Sequence, residues 1–157
     1  MDGAAYGYFL YALSLLTMGG LYAVLTLGLN LQWGAGGMLN VGVAGFFAVG
    51  AYASAILTTP GSELHLGGFG VPVAGGLLAA MLLSAVLAWA VGRICIRLRA
   101  DYLAIATIGI AEIVRLVFKN EIWMTNGARG IAKIPRPFEG LPEPWDQLAF
   151  LALVLAV

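Results

Sequence analysis

The stretch LNLQWGAGGMLNVGVAGFFAVGAY, residues 29–52, lies inside a run of sixty residues, 3–62, that contains no Asp, Glu, Lys or Arg. Within it Asn30, Gln32, Asn40 and a cluster of glycines interrupt what would otherwise read as continuous apolar helix. Soluble domains carry about a quarter charged residues and rarely leave so long a segment uncharged. The stretch therefore predicts a membrane protein, and the polar interruption is the feature to be explained.

The rest of the chain agrees. Of its 157 residues 61% are hydrophobic and 10% charged. Eight basic and eight acidic residues leave no net charge, so nothing predicts a basic face for nucleic acid or an acidic tail. Cys95, the single cysteine, has no partner for a disulfide and no metal-ligand spacing around it. The first residues, MDGAAYGYFLYALSLL, lack the basic start of a secretory signal, which predicts a retained membrane segment.

Spans follow from runs of uncharged sequence. Residues 4–29 reach about 39 Å as helix, enough to cross a bilayer with tilt. Residues 41–57 reach only about 26 Å, the low end of what crosses. Residues 58–70, with Glu63 and His65 among Pro and Gly, read as a loop in water or headgroups. Residues 71–92 form the next span, closed by Arg93, Arg97 and Arg99, a basic turn whose density of arginine predicts the cytoplasmic side. Residues 102–118 form a fourth. Residues 119–147, rich in proline and bearing Trp123 and Trp145, read as a loop on the opposite face, anchored by interfacial aromatics. Residues 148–157 are about half a span, so 1–157 reads as the N-terminal part of one larger permease-like domain.

Two physical accounts fit residues 30–40. Gly and Asn tolerate positive φ and suit an ordinary loop in water. Alternatively the backbone is broken within the membrane, where irregular segments persist only if protein or a watery cavity satisfies them, as in solute paths. The lack of charge on either side inclines toward the second, with Asn30, Gln32, Gly36, Gly37 and Asn40 on the path. Beyond the break, Ala44, Ala48, Ala51 and Ala55 recur on one helical face with Gly50 and Ser54 beside them, a small-residue stripe that predicts close helix packing, with Phe46, Val49 and Ile56 turned to lipid or a partner.

Glu112 and Arg115 fall within the fourth span. An intramembrane carboxylate is costly, and an arginine one turn along the same face predicts a local ion pair that fixes the helix. No zinc-protease, nucleophile-elbow or P-loop motif occurs, so the chain is expected to be neither an enzyme nor an ATPase.

Three segments, GLNLQWGAGGMLNVGVAGFFAVGAYASAIL (28–57), RLRADYLAIATIGIAEIVRLVFKN (97–120) and TNGARGIAKIPRP (125–137), resemble the N-terminal half of LivM-type permeases, membrane subunits of bacterial ABC importers for branched-chain amino acids. The resemblance implies an all-α polytopic transmembrane protein in the bacterial inner membrane, here truncated. It also implies a second permease subunit, two cytoplasmic ATPases that hold ATP and Mg while this chain binds no cofactor, and a periplasmic solute-binding protein that delivers leucine, isoleucine or valine. Residues 125–137 would face the binding protein, and Arg93, Arg97 and Arg99 the ATPases. Permeases for urea and short amides share much of the pattern, and an ion-coupled secondary transporter suits a broken helix equally well.

Overall fold

The computed structural model describes residues 3–61, 66–95 and 97–156. Glu63 and His65, expected in a loop, lie outside the described residues. Every regular element among the described residues is helical: α1 (Gly3–Asn30), α2 (Val43–Thr58), α3 (Val73–Cys95), α4 (Ala100–Asn120), the short α5 (Ile122–Thr125) and α6 (Trp145–Ala156). Two of them, residues Ala4–Ala35 and Val73–Cys95, have the length and apolarity to cross a membrane, and α2 and α6 are shorter apolar helices. The 21 residues of α4 are long enough but carry Asp101, Glu112, Arg115 and Lys119.

Contacts divide the chain into two compact units, Met1–Leu31 with Arg136–Val157, and Gln32–Pro135. In the first, α1 packs on α6 at Gly20, where an added Cβ would come within 2.7 Å of Val154. Few side chains are buried, and large apolar residues such as Tyr8, Leu16, Leu78, Met81 and Trp89 stand exposed along the helices. In water such faces would be ruinous; against acyl chains they cost nothing.

In the second unit α2 and α3 form an antiparallel hairpin. Gly50 lies against Ser84 and Ala80, and Gly76 against Ser54 and Thr58, so the absence of Cβ lets the backbones meet. Ser84 Oγ donates to the Phe46 carbonyl at 3.2 Å. On its other side α2 meets α4: Gly45 sits on Ala111, and Tyr52 stacks on Phe118 with ring centroids 4.5 Å apart.

Of the small residues expected to pack, Gly50 and Ser54 meet α3, and the alanines divide. Ala44 and Ala51 are exposed while Ala55 is buried. Phe46, expected to face lipid, turns instead toward α3. Glycine, which lacks the Cβ that alanine carries, sets the closest approaches, and Ser84 adds a hydrogen bond across the hairpin.

Candidate translocation site

Helix α1 does not stop at Asn30. It runs on through a π-helical turn, Leu31–Ala35. It ends where Gly37 adopts φ 62°. The Gly37 N–H donates to the Trp33 carbonyl and the Met38 N–H to the Gln32 carbonyl, both at 3.0 Å. These nested bonds reach back four and six residues, each one residue wider than in a Schellman motif as befits the end of a π-turn, and the left-handed residue they need is one that glycine supplies without a Cβ penalty.

The chain then re-enters helix under side-chain control. Asn40 Oδ1 accepts the Gly42 N–H at 2.9 Å. Val41 N–H donates across to Thr107 Oγ1 of α4 at 3.2 Å. Thr107, 2% exposed, donates its own proton to the Ala104 carbonyl at 3.0 Å. Two N–H groups at the start of α2, which no preceding helical turn can satisfy, are thus met by Asn40 and Thr107. Gly42 permits the approach, since a Cβ there would lie 2.7 Å from the Thr107 carbonyl.

The register of the helices locates this break. Phe46 is level with Ser84 of α3. Val43, three residues earlier, is level with about residue 87, and the stretch of α3 from there to Cys95 spans roughly 12 Å. Thr107 likewise lies about 10 Å along α4 from its start at Ala100. Helix α2 therefore begins well inside the ends of both neighbours. The space it leaves is an open cavity of about 690 Å³, bounded by Gln32, Met38, Asn40, Phe46, Ser84 and Thr107 among mainly apolar residues that include Val91, Cys95 and Leu103.

Of the five residues read as path-lining, Gln32, Gly37 and Asn40 border this cavity, whereas Asn30 and Gly36 do not. Gly36 lies beside the Gln32 carbonyl, 2.8 Å from where its Cβ would stand, and serves the helix stop. Ser84 and Thr107 were not singled out by sequence. Ser84 is the one hydroxyl of the apolar α3 and Thr107 stands in an uncharged stretch of α4, and only the packing places them at the cavity. Asn40 Nδ2 and the Gln32 side chain have no hydrogen-bond partner among the described residues, so both are available to a solute.

Glu112 and Arg115 form the ion pair expected from their spacing, with Arg115 Nε to Glu112 Oε2 at 2.8 Å and Nη2 to Oε1 at 2.5 Å. The two-pronged geometry is the strong form of this contact. Both side chains are exposed, at 59% and 50%, and they do not reach the cavity. Arg93, Arg97 and Arg99 are exposed, with Arg93 over the Trp89 ring at 5.1 Å.

A helical membrane protein with a polar helix break opening on a cavity is the architecture of a solute permease subunit. The chain belongs to the family described as branched-chain amino acid transport system, permease component, which matches residues 11–157. It is 42% identical over 125 residues to the high-affinity branched-chain amino acid transport system permease protein LivM of Salmonella typhimurium, covering 77% of this chain and 27% of that protein. It is 40% identical over 121 residues to LivM of Escherichia coli, covering 74% of this chain and 26% of that protein. With LivH of Salmonella typhimurium the identity is 26% over 125 residues, 79% of this chain and 40% of that protein. The chain spans about a quarter of the length of the LivM relatives it matches. No solved structure matches it.

Proposed function

We propose that this chain supplies part of the translocation path of an ATP-driven importer of leucine, isoleucine and valine in the bacterial inner membrane. The observation that carries the proposal is the placement of the break. Helix α2 starts about 10 to 12 Å inside the ends of its neighbours, and the gap is an open cavity with neutral polar groups. Irregular backbone at such depth is tolerated where it borders a cavity. Apolar walls suit an aliphatic side chain, and Asn40, Gln32 and Ser84 suit the charged ends of an amino acid without themselves adding charge.

In this reading a second permease subunit completes the path, and a periplasmic binding protein delivers the solute from the side of residues 125–137. Two cytoplasmic ATPases act on the opposite side, at the basic turn of Arg93, Arg97 and Arg99. ATP and Mg belong to those ATPases, and their binding shifts the permease between two conformations by favouring one. The chain spans the membrane several times through α1 to α4 and α6.

The test is radiolabelled leucine uptake by the assembled transporter. Asn40→Leu is expected to reduce uptake at least tenfold while leaving subunit assembly intact. Asn40→Asp, which keeps the oxygen that accepts the Gly42 N–H, is expected to assemble equally well. Unchanged uptake in Asn40→Leu would remove the cavity from the path. Uptake that persists without ATPase subunits would favour an ion-coupled carrier, and uptake of urea in place of leucine an amide permease.

A further inference from the structure

The second unit holds another concavity, of about 350 Å³, near the C-terminal end of α4 and remote from the cavity beside the helix break. Its walls include Tyr52 and Phe118, and its rim carries Arg115, Lys119 and Arg129. The segment TNGARG builds it. Thr125, fully buried, directs its hydroxyl to the Phe118 and Glu121 carbonyls at the end of α4. Asn126 and Gly127 follow with φ 62° and 60°, and Gly127 lies so close to the Lys119 carbonyl that a Cβ would approach to 3.0 Å. Asn126 Nδ2 then donates to the Gly130 carbonyl at 3.0 Å and closes the turn. The result brings Arg129 back to the last turn of α4, on the same pocket as Lys119.

The positive charge of this pocket is only partly compensated. Arg115 is neutralised by Glu112, which occupies its Nε and Nη2. Among the described residues Lys119 and Arg129 form no ion pair, and no acidic side chain lines the pocket. The nearby Glu121 is held by the Trp123 indole N–H at 2.7 Å and does not line it. Ile122 and Trp123, 65% and 62% exposed, stand where α4 ends, as residues do at a membrane interface.

The pocket is not isolated. It shares Ala48 and Arg115 with a groove of about 260 Å³ between α2 and α4, whose floor of Val41, Ala44, Gly45, Ile108 and Ala111 is apolar and whose edge carries the Glu112–Arg115 ion pair. A site with two free cations at the interface, opening into an apolar slot that runs along the helices, matches an amphiphile with an anionic head. The geometry points to a binding site for an anionic phospholipid, its phosphate between Lys119 and Arg129 and an acyl chain in the α2–α4 groove, in the leaflet opposite the Arg93, Arg97 and Arg99 turn. A free phosphate would use the head pocket and ignore the groove. A zwitterionic lipid would leave the two charges unmatched. The assignment stands independently of the transport reading.

The experiment is native mass spectrometry of the purified chain, titrated with phosphatidylglycerol or phosphatidylcholine of matched acyl chains, with inorganic phosphate as competitor. Preferential retention of phosphatidylglycerol is expected. Lys119→Gln combined with Arg129→Gln should weaken it about thirtyfold, from about fivefold per basic residue near an anionic surface. Lys119→Arg with Arg129→Lys should restore most of it. Ala48→Leu, which fills the groove and leaves the cations, should also weaken it. Equal retention of the two lipids, or an unchanged preference in the glutamine pair, would overturn the site. Displacement by inorganic phosphate with no effect of Ala48→Leu would show a free-anion pocket and overturn the lipid assignment.

Discussion

The two ends of the unit Gln32–Pro135 are built on opposite chemical plans. At the end bearing the Arg93 turn, the polar groups around the cavity are neutral, and those that hold the backbone are fully engaged: Thr107 both donates and accepts, and the Asn40 oxygen caps Gly42. At the other end Lys119 and Arg129 form no ion pair among the described residues, around a turn closed by Asn126. A neutral amide or hydroxyl is tolerated at depth if its hydrogen bonds are made, whereas a charge is affordable only where water or headgroups reach it. The contrast separates a place suited to a solute's passage from a place suited to a membrane surface.

The comparison breaks first, and most severely, if the contact between α2 and α4 is lost. Gly45 lies against the Ala111 backbone, with 2.9 Å from its hypothetical Cβ to the Ala111 Cα, and backbone does not yield as a side-chain tip does. Gly45→Leu is expected to destroy both ends together and abolish monodisperse protein in detergent; Gly45→Ala should cost about 1–3 kcal/mol by overpacking, read as a lowered Tm. A fully stable Gly45→Leu would show that the two helices are not held at this contact.

A smaller effect should be confined to the cavity end. Thr107→Val leaves the Val41 N–H without its acceptor, an expected loss of about 1–3 kcal/mol in thermal unfolding, while Thr107→Ser keeps the hydroxyl and should recover most of it. Lipid retention at the far end should be unchanged in both. Loss of lipid in Thr107→Val would mean the ends are coupled.

The smallest effect concerns Glu112 and Arg115, an exposed pair that lies away from the cavity beside the helix break. Exchange of the two residues is expected to keep the membrane-integrated yield, and Glu112→Ala to reduce it modestly by leaving Arg115 unpaired. Equal yields would remove the structural role of the pair.

Much of this was legible in the residues. The uncharged run 3–62 and the apolar segments after it predicted helices that the structure places at Gly3–Asn30, Val43–Thr58, Val73–Cys95, Ala100–Asn120 and Trp145–Ala156. The spacing of Glu112 and Arg115 predicted their contact, because residues three apart share a helical face. Less legible was the stop after Asn30. Neither Leu31 nor Gln32 signals a π-turn, and the closing hydrogen bonds from Gly37 and Met38 become apparent only with backbone angles in hand. Of the small-residue face, Gly50 and Ser54 meet α3 as expected, but composition did not show which of its alanines a neighbour would cover.

The sequence by itself determined that this is a helical membrane protein and roughly where its helices run, since hydropathy and local spacing act along the chain and need no partner; the family followed from the likeness of whole segments to known permeases. The tertiary structure decided which polar residues act together. Asn40 and Thr107 stand 67 positions apart in the chain, and Lys119 meets Arg129 only because Asn126 and Gly127 turn the backbone left-handed. Such pairings depend on helix register and backbone approach, set by glycine contacts such as Gly42 on Thr107 and Gly45 on Ala111, and are fixed only when the helices pack.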